Sequence, residues 1–184
     1  MRKKYQIIYA DPPWRFKVWS RDTGLGRSAE SYYPTMLLKD IKSLQIPTDK
    51  NCVLFLWTPC PQIPEALELI SAWGFKFKTV AFTWVKKNKI SDSWFWGMGY
   101  WTRANAELCL LATKGNPKRI SAKVHSVIST PIERHSQKPK ETRSRIIQLM
   151  GDLPRIELFA RQKTEGWDVW GNEVESDIVL KSGG

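Results

Sequence analysis

Ile7-Ile-Tyr-Ala-Asp-Pro-Pro-Trp14 decides how this chain is read. Apolar residues from Tyr5 to Ala10 run straight into an acid and two adjacent prolines, the pattern of a strand that ends in a stiff loop. Each proline fixes φ and biases the residue before it toward extended geometry. Neither has an N–H, so carbonyls dominate the loop's backbone hydrogen bonding. In open α/β sheets, ligands collect outside the carboxyl ends of the strands, where Asp11 would stand.

Working outward, strand and helix patterns alternate. Helical spacing of Met36, Leu37, Ile41 and Leu44 predicts a helix from Thr35, with Thr as its cap, to Leu44. Cys52 to Trp57 is an unbroken apolar run, expected as a strand covered on both faces. Ile63, Leu67 and Ile70 then mark a helix ending at Gly74. Strands are predicted over Thr79–Val85, Glu107–Thr113 and, more weakly, Val124–Ser129. A helix from near Pro139 carries Ile146, Ile147 and Met150 and stops at Gly151. Arg155–Arg161 and Trp167–Trp170 complete the strands. This alternation argues a layered α/β fold with a mostly parallel sheet. Residues 1–175 are expected as a single domain, residues 176–184 as a flexible tail, and the polar stretch Ser20–Ser31 as mobile.

The chain of 184 residues carries a formal charge of +11 and ten tryptophans. So basic a balance favours a polyanionic partner, because Lys and Arg displace counterions from phosphates; a solubilising surface is the plain alternative. The charge is concentrated between Lys114 and Arg145, where nine basic residues face only Glu133 and Glu141. Cys52, Cys60 and Cys109 lack metal spacing and read as reduced thiols of a cytosolic-type compartment. His125 and His135 have no ligand-spaced partner, so no metal site is expected. The apolar stretches are too short for a signal peptide or a membrane span. No glycine-rich phosphate loop is present.

Lys86 to Asn105 joins two strands with little periodicity, and a loop that long in a compact domain is usually functional. It sets Lys86, Lys87, Lys89 and Arg103 among Trp94, Phe95, Trp96, Tyr100 and Trp101. Cations interleaved with aromatics suit phosphate contact and base stacking. A flap over the sheet, or a subunit contact, is the alternative.

The Asp11 corner has the chemistry that methylating an aromatic amine requires. The N6 lone pair of adenine is delocalised into the ring and is a poor nucleophile. The Asp11 carboxylate and a backbone carbonyl, that of Pro12, would each accept an N6–H hydrogen bond and favour a pyramidal nitrogen. Trp14 would offer a flat surface for the base. The structural alternative makes Asp11 a turn cap and Trp14 packing.

Further stretches extend the comparison: Tyr33-Pro-Thr-Met36, Leu54-Phe-Leu-Trp57, Glu107-Leu-Cys-Leu110, Lys114-Gly-Asn-Pro117, Ser136-Gln-Lys-Pro139, Arg155-Ile-Glu-Leu-Phe-Ala-Arg161 and Trp170-Gly-Asn172. In this order and spacing the chain resembles the MT-A70 family of adenine N6 methyltransferases, which includes the eukaryotic messenger-RNA adenosine methyltransferase and bacterial and phage DNA enzymes. The resemblance implies a Rossmann-like methyltransferase fold with helices on both faces of the sheet, in permuted order with the catalytic loop first and the cofactor strand late. It implies S-adenosylmethionine as cofactor and Asp11, Pro12, Pro13 and Trp14 as the catalytic tetrad.

Cofactor contacts implied by the resemblance are Asp11, Lys138, Glu157, Phe159, Arg161, Gln162, Lys163, Asn172 and Glu173. Substrate contacts expected from the resemblance and the Trp-rich loop are Trp14, Tyr33, Trp57, Lys86, Lys87, Trp96, Trp101 and Arg103. Glu173 departs from an Asn-Gln pair, Gln162-Lys163 stands where eukaryotic members have Pro-His, and an Asp-containing segment before the first strand has no counterpart ahead of Tyr5. The expected partner is nucleic acid, DNA first and RNA as the alternative, with a noncatalytic binding subunit as a third reading. No membrane is expected as a partner, monomer and homodimer both stay open, and the expected location is the cytoplasm of a bacterial or phage-infected cell.

Overall fold

The computed structural model describes residues 3–15, 35–99, 101–133 and 137–183. The expectations for Tyr33, His135 and the Ser20–Ser31 stretch lie outside them. Strands are β1 (Tyr5–Ala10), β2 (Thr48–Pro59), β3 (Lys76–Lys87), β4 (Glu107–Lys114), β5 (Val127–Pro131), β6 (Arg155–Leu158) and β7 (Asp168–Trp170). Helices are α1 (Leu38–Ser43), α2 (Ile63–Ala72) and α3 (Glu141–Met150).

The strands form one sheet in the order β5-β3-β4-β2-β1-β6-β7. Four pairings are parallel; β4 alone runs antiparallel to both its neighbours, β2 and β3. The expected mostly parallel α/β sheet is therefore present, with one strand reversed.

Alternation sorts the central strands onto two cores. Ile8, Ala10, Leu54 and Leu56 face α1 and α2, packing with Ile41, Ala66, Leu69 and Ile70. Ile7, Tyr9, Val53, Phe55 and Trp57 face the other way, toward Ile146 and Met150 of α3. Tyr5 lies on the α1–α2 side although it is two residues from Ile7. The register of β1 against β2 shifts between them, and such an irregularity flips the face.

Several predicted boundaries move. The first helix begins at Leu38 with no side-chain cap at Leu37, so Thr35 does not start it. The buried face of α2 is Ala66, Leu69 and Ile70, while Leu67 points to solvent. β6 stops at Leu158 rather than Arg161 because Phe159 adopts a φ of 61°, outside strand geometry.

The expected tail is seated over residues 177–183. Ile178 and Leu180 pack on the core, the Gln45 N–H donates to the Lys181 carbonyl at 2.9 Å, and the Gly183 N–H donates to the Ser43 carbonyl at 2.7 Å. Among the described residues no helix is long and apolar enough to cross a membrane.

Candidate active site

β1, β2, β3, β5 and β6 end at one edge of the sheet, and the reversed β4 begins there: Pro59 pairs with Glu107, and Ala10 lies beside Leu56 and Leu158. The edge thus gathers Asp11 after β1, Lys86 near the end of β3, Glu107 at the start of β4 and Phe159 after β6. Lys138, from the segment leading into α3, reaches the same place.

Lys138 Nζ lies 2.9 Å from Asp11 Oδ2 and 3.1 Å from Glu107 Oε2. Glu107 Oε1 lies 2.5 Å from Lys86 Nζ. Burial works against the Glu107 carboxylate, but Lys138 and Lys86 together outweigh it and hold its pKa at about 2. For Asp11 burial wins: its carboxyl is lifted above the usual carboxylate range, Lys138 only partly offsetting the rise and Glu107 adding to it. Lys138, though buried, is held above the ordinary lysine range by its two carboxylates.

The proline corner is tightly turned. The Trp14 N–H donates to the Pro12 carbonyl at 2.8 Å, a three-residue turn about Pro13. The Met36 N–H donates to the Pro13 carbonyl at 3.1 Å. One lone pair of the Pro12 oxygen is therefore used within the loop, and the other remains for a ligand.

Trp14 and Trp57 sit elsewhere than a stacking role implies. Trp14 is 5% exposed, packs in the α1–α2 core and donates its indole N–H to the Trp57 carbonyl at 3.0 Å. Trp57 is fully buried and donates its N–H to the Tyr9 hydroxyl at 2.7 Å. Lys138 Nζ stands 5.8 Å from the Trp57 ring centroid. The two indoles pack into the cores on opposite faces of the sheet, with their polar handles satisfied. Neither presents a free face to a base.

On the other side of β1, Glu157 of β6 is gripped by Arg143 of α3, with Nε to Oε2 at 2.7 Å and Nη2 to Oε1 at 2.6 Å. Arg143 also covers the Tyr9 ring at 5.5 Å. Phe159 meets Trp170 edge to face at 5.3 Å, and the Ala160 N–H donates to the Trp170 carbonyl at 3.0 Å. Beyond this turn Arg161, Gln162, Lys163, Asn172 and Glu173 are exposed. Arg161 Nε lies 3.4 Å from Glu173 Oε1, and Lys163 pairs with Asp177 at 3.1 Å. Of the expected cofactor residues, the structure gathers Asp11, Lys138, Glu157 and Phe159 at the strand ends, with the remainder along the outer rim.

The Trp-rich segment is a hairpin sealed at its root. The Asn105 amide accepts from the Lys86 N–H at 2.9 Å and donates to the carbonyls of Lys86, at 2.9 Å, and Phe95, at 2.5 Å. Lys87 bridges to Trp94 and Gly97 to Ala104, both antiparallel. Trp94, Trp96, Met98 and Trp101 are exposed along it, Trp101 at 90%. Lys89 and Arg103 are exposed beside them, whereas Lys87 is half-buried, paired with Asp92 at 2.5 Å and laid over the Trp94 ring at 5.8 Å. Lys86 does not: its side chain is 17% exposed, paired with Glu107 and laid over the Trp84 ring at 5.0 Å. It is an internal ion, not an outward phosphate contact.

The basic stretch Lys114–Arg145 also divides. Lys138 and Arg143 belong to the site. Arg145 is spent on Glu141 and on the carbonyls of His125 and Val127. Because β4 is reversed, Lys114, Lys118 and Arg119 emerge toward the sheet edge opposite Asp11. The basic stretch is therefore divided between the two edges of the sheet.

Glu107, Arg143 and Tyr9 were not expected as site residues. Only Glu107 left a trace, as the charged residue that opens the strand ahead of the apolar run Leu108–Ala112. Among the described residues no cluster of His, Cys, Asp and Glu could hold a metal.

The MT-A70 family model matches residues 5–173, spanning β1 through the Asn172-Glu173 rim. The chain belongs to the MT-A70 family. It is therefore an adenine N6 methyltransferase. This MT-A70 chain is 36% identical to the Type II methyltransferase M.MunI of Mycoplasma sp over 97% of its own length and 81% of that protein. It is 27% identical to the N(6)-adenosine-methyltransferase MT-A70-like protein of Arabidopsis thaliana, of which it covers 25%. It is also 27% identical to the N(6)-adenine-specific methyltransferase METTL4 of Homo sapiens, of which it covers 38%.

Proposed function

We propose that the chain transfers a methyl group from S-adenosylmethionine to the N6 amine of adenine in DNA, in the cytoplasm of a bacterial or phage-infected cell. The observation that carries this reading is the Asp11 carboxylate, held by Lys138 at the carboxyl ends of β1, β2 and β6. A DNA substrate fits the Mycoplasma relative, which is matched over most of its length. The exposed tryptophans and cations of the hairpin suit phosphates and unstacked bases equally.

The donor set suits S-adenosylmethionine. Its zwitterionic amino-acid end calls for a cation and an anion side by side, which Lys138 and Asp11 provide. Its ribose calls for acceptors, which Glu157 and the Asn172-Glu173 rim provide, with Phe159 and Arg161 between them and Gln162 and Lys163 beyond. When bound, S-adenosylmethionine supplies an electrophilic methyl group on a sulfonium.

The chain's own residues do the rest. Asp11 and the Pro12 carbonyl accept the two N6–H hydrogen bonds, turning the amine lone pair outward; the prolines fix that geometry before the base arrives. The Trp14 indole, hydrogen-bonded to the Trp57 carbonyl, anchors the corner to β2. In a duplex N6 is hidden in the stack, so the base must be flipped or presented single-stranded. Lys87, Trp96, Trp101 and Arg103 are the hairpin groups suited to hold the surrounding strand.

Methyl transfer assayed on duplex DNA, single-stranded DNA and RNA tests the proposal. Asp11→Asn is expected to lower kcat by about a hundredfold or more while nucleic-acid binding persists. Transfer to RNA alone would overturn the substrate, and an active Asp11→Asn enzyme would overturn the mechanism.

A further inference from the structure

Lys86 and Glu107 lie outside the groups that hold donor or base, yet they continue the line of charge that ends at Asp11. The signs alternate along Lys86, Glu107, Lys138 and Asp11, whose side chains are 17, 15, 7 and 26% exposed. Burying two carboxylates and two ammonium groups together is costly unless the geometry is good. A pair kept only for stability needs neither a shared lysine nor a second cation. Here Lys138 is divided between two carboxylates. Lys86 is fixed as well, because its N–H and carbonyl are both clamped by Asn105.

The division has a chemical consequence. An ammonium given wholly to Asp11 would compete with the adenine amine for the same oxygen lone pairs. Glu107 draws Lys138 from the opposite side, and Lys86 limits that draw by neutralising part of Glu107. We infer that Glu107 and Lys86 are positioning residues for methyl transfer, which set through Lys138 how much of the Asp11 carboxylate is left for the amine. This rests on Asp11 being the amine acceptor. Arg161, Arg143 and Glu157 also act on Asp11, and the substitutions below leave all three in place.

The two positions predict shifts of opposite sign. Glu107→Gln removes a negative neighbour of Asp11 and releases Lys138 to it, which favours the Asp11 carboxylate. Lys86→Met removes a cation and lets Glu107 take more of Lys138, which disfavours it. The experiment is the pH dependence of kcat at saturating S-adenosylmethionine and DNA, with melting temperatures for each variant and Asp11→Asn alongside. Glu107→Gln should move the acid limb to lower pH and reduce kcat about tenfold, with the KM for DNA within about twofold. Lys86→Met should move the limb to higher pH. Limbs that stay in place, or move in the same direction, overturn the inference and leave a merely structural pair. Should Glu107→Gln fail to fold, the direction of the Lys86→Met shift decides alone. Full activity in Asp11→Asn would instead defeat the reading of Asp11, a result separable from unmoved limbs in an enzyme that Asp11→Asn inactivates.

Discussion

The Arg143 guanidinium meets both oxygens of Glu157 in parallel, at 2.7 and 2.6 Å, and so ties α3 to β6 across the face of Tyr9. Burial, with the Asp11 carboxylate adding to it, raises the Glu157 carboxyl above its ordinary range, and Arg143 works against that rise. Arg143→Met would leave a buried, unmatched carboxylate and should destabilise the fold by about 3–5 kcal/mol in urea titrations. Arg143→Lys keeps the charge but not the fork, so an intermediate loss is expected. Full stability in Arg143→Met would show the pair to be incidental.

Glu107 makes stability sensitive to acid. Its folded pKa, about 2, lies below the usual 4.5, so it contributes stability fully above about pH 4.5. That contribution is lost as pH falls from there through 2. The stability gap between wild type and Glu107→Gln, measured by urea midpoints, should therefore narrow steadily over this window. A gap independent of pH would mean that Glu107 is not held by its lysines.

The hairpin tryptophans should matter for binding and little for folding. Trp101, 90% exposed, can be cut to Ala at a cost within about 0.5 kcal/mol of stability. Loss of a stacking surface should weaken DNA binding by about 1–3 kcal/mol, read by anisotropy at fixed salt. Unchanged affinity would move the hairpin from DNA contact to another partner.

Gly171 is pressed against the turn after β6. A Cβ there would lie 2.1 Å from the Ala160 carbonyl oxygen and 2.8 Å from its nitrogen. Gly171→Ala must push apart the two segments that carry Phe159 and Asn172. A loss of about 1–3 kcal/mol is expected, together with weaker S-adenosylmethionine binding by calorimetry. Wild-type affinity in a destabilised Gly171→Ala would separate this contact from the donor site.

The Asp11 corner was legible because two prolines after an apolar run leave few conformations, and the alternation of strands and helices gave the layered sheet. Strand direction was not legible. An apolar run such as Leu108–Ala112 looks the same whether the chain runs up or down, and the reversal of β4 is what divides the basic stretch. Trp14 and Trp57 misled because an indole suits a base-stacking surface and a core equally, and only the fold decides which. Lys86 misled through its neighbours: one residue inside the strand end it faces Glu107, one residue beyond it faces the hairpin. Arg143 gave no signal, since a cation in the first turn of a helix reads as ordinary solvated surface.

The Asn105 amide closes the hairpin at its base, above the strand ends and apart from the proline corner. Everything distal to that lock is free to change in length and composition without disturbing the reactive centre beneath. If the hairpin holds the DNA as proposed, its specificity becomes a module separable from the chemistry, and grafting another member's hairpin between Asn88 and Ala104 should change the site methylated while leaving methyl transfer intact.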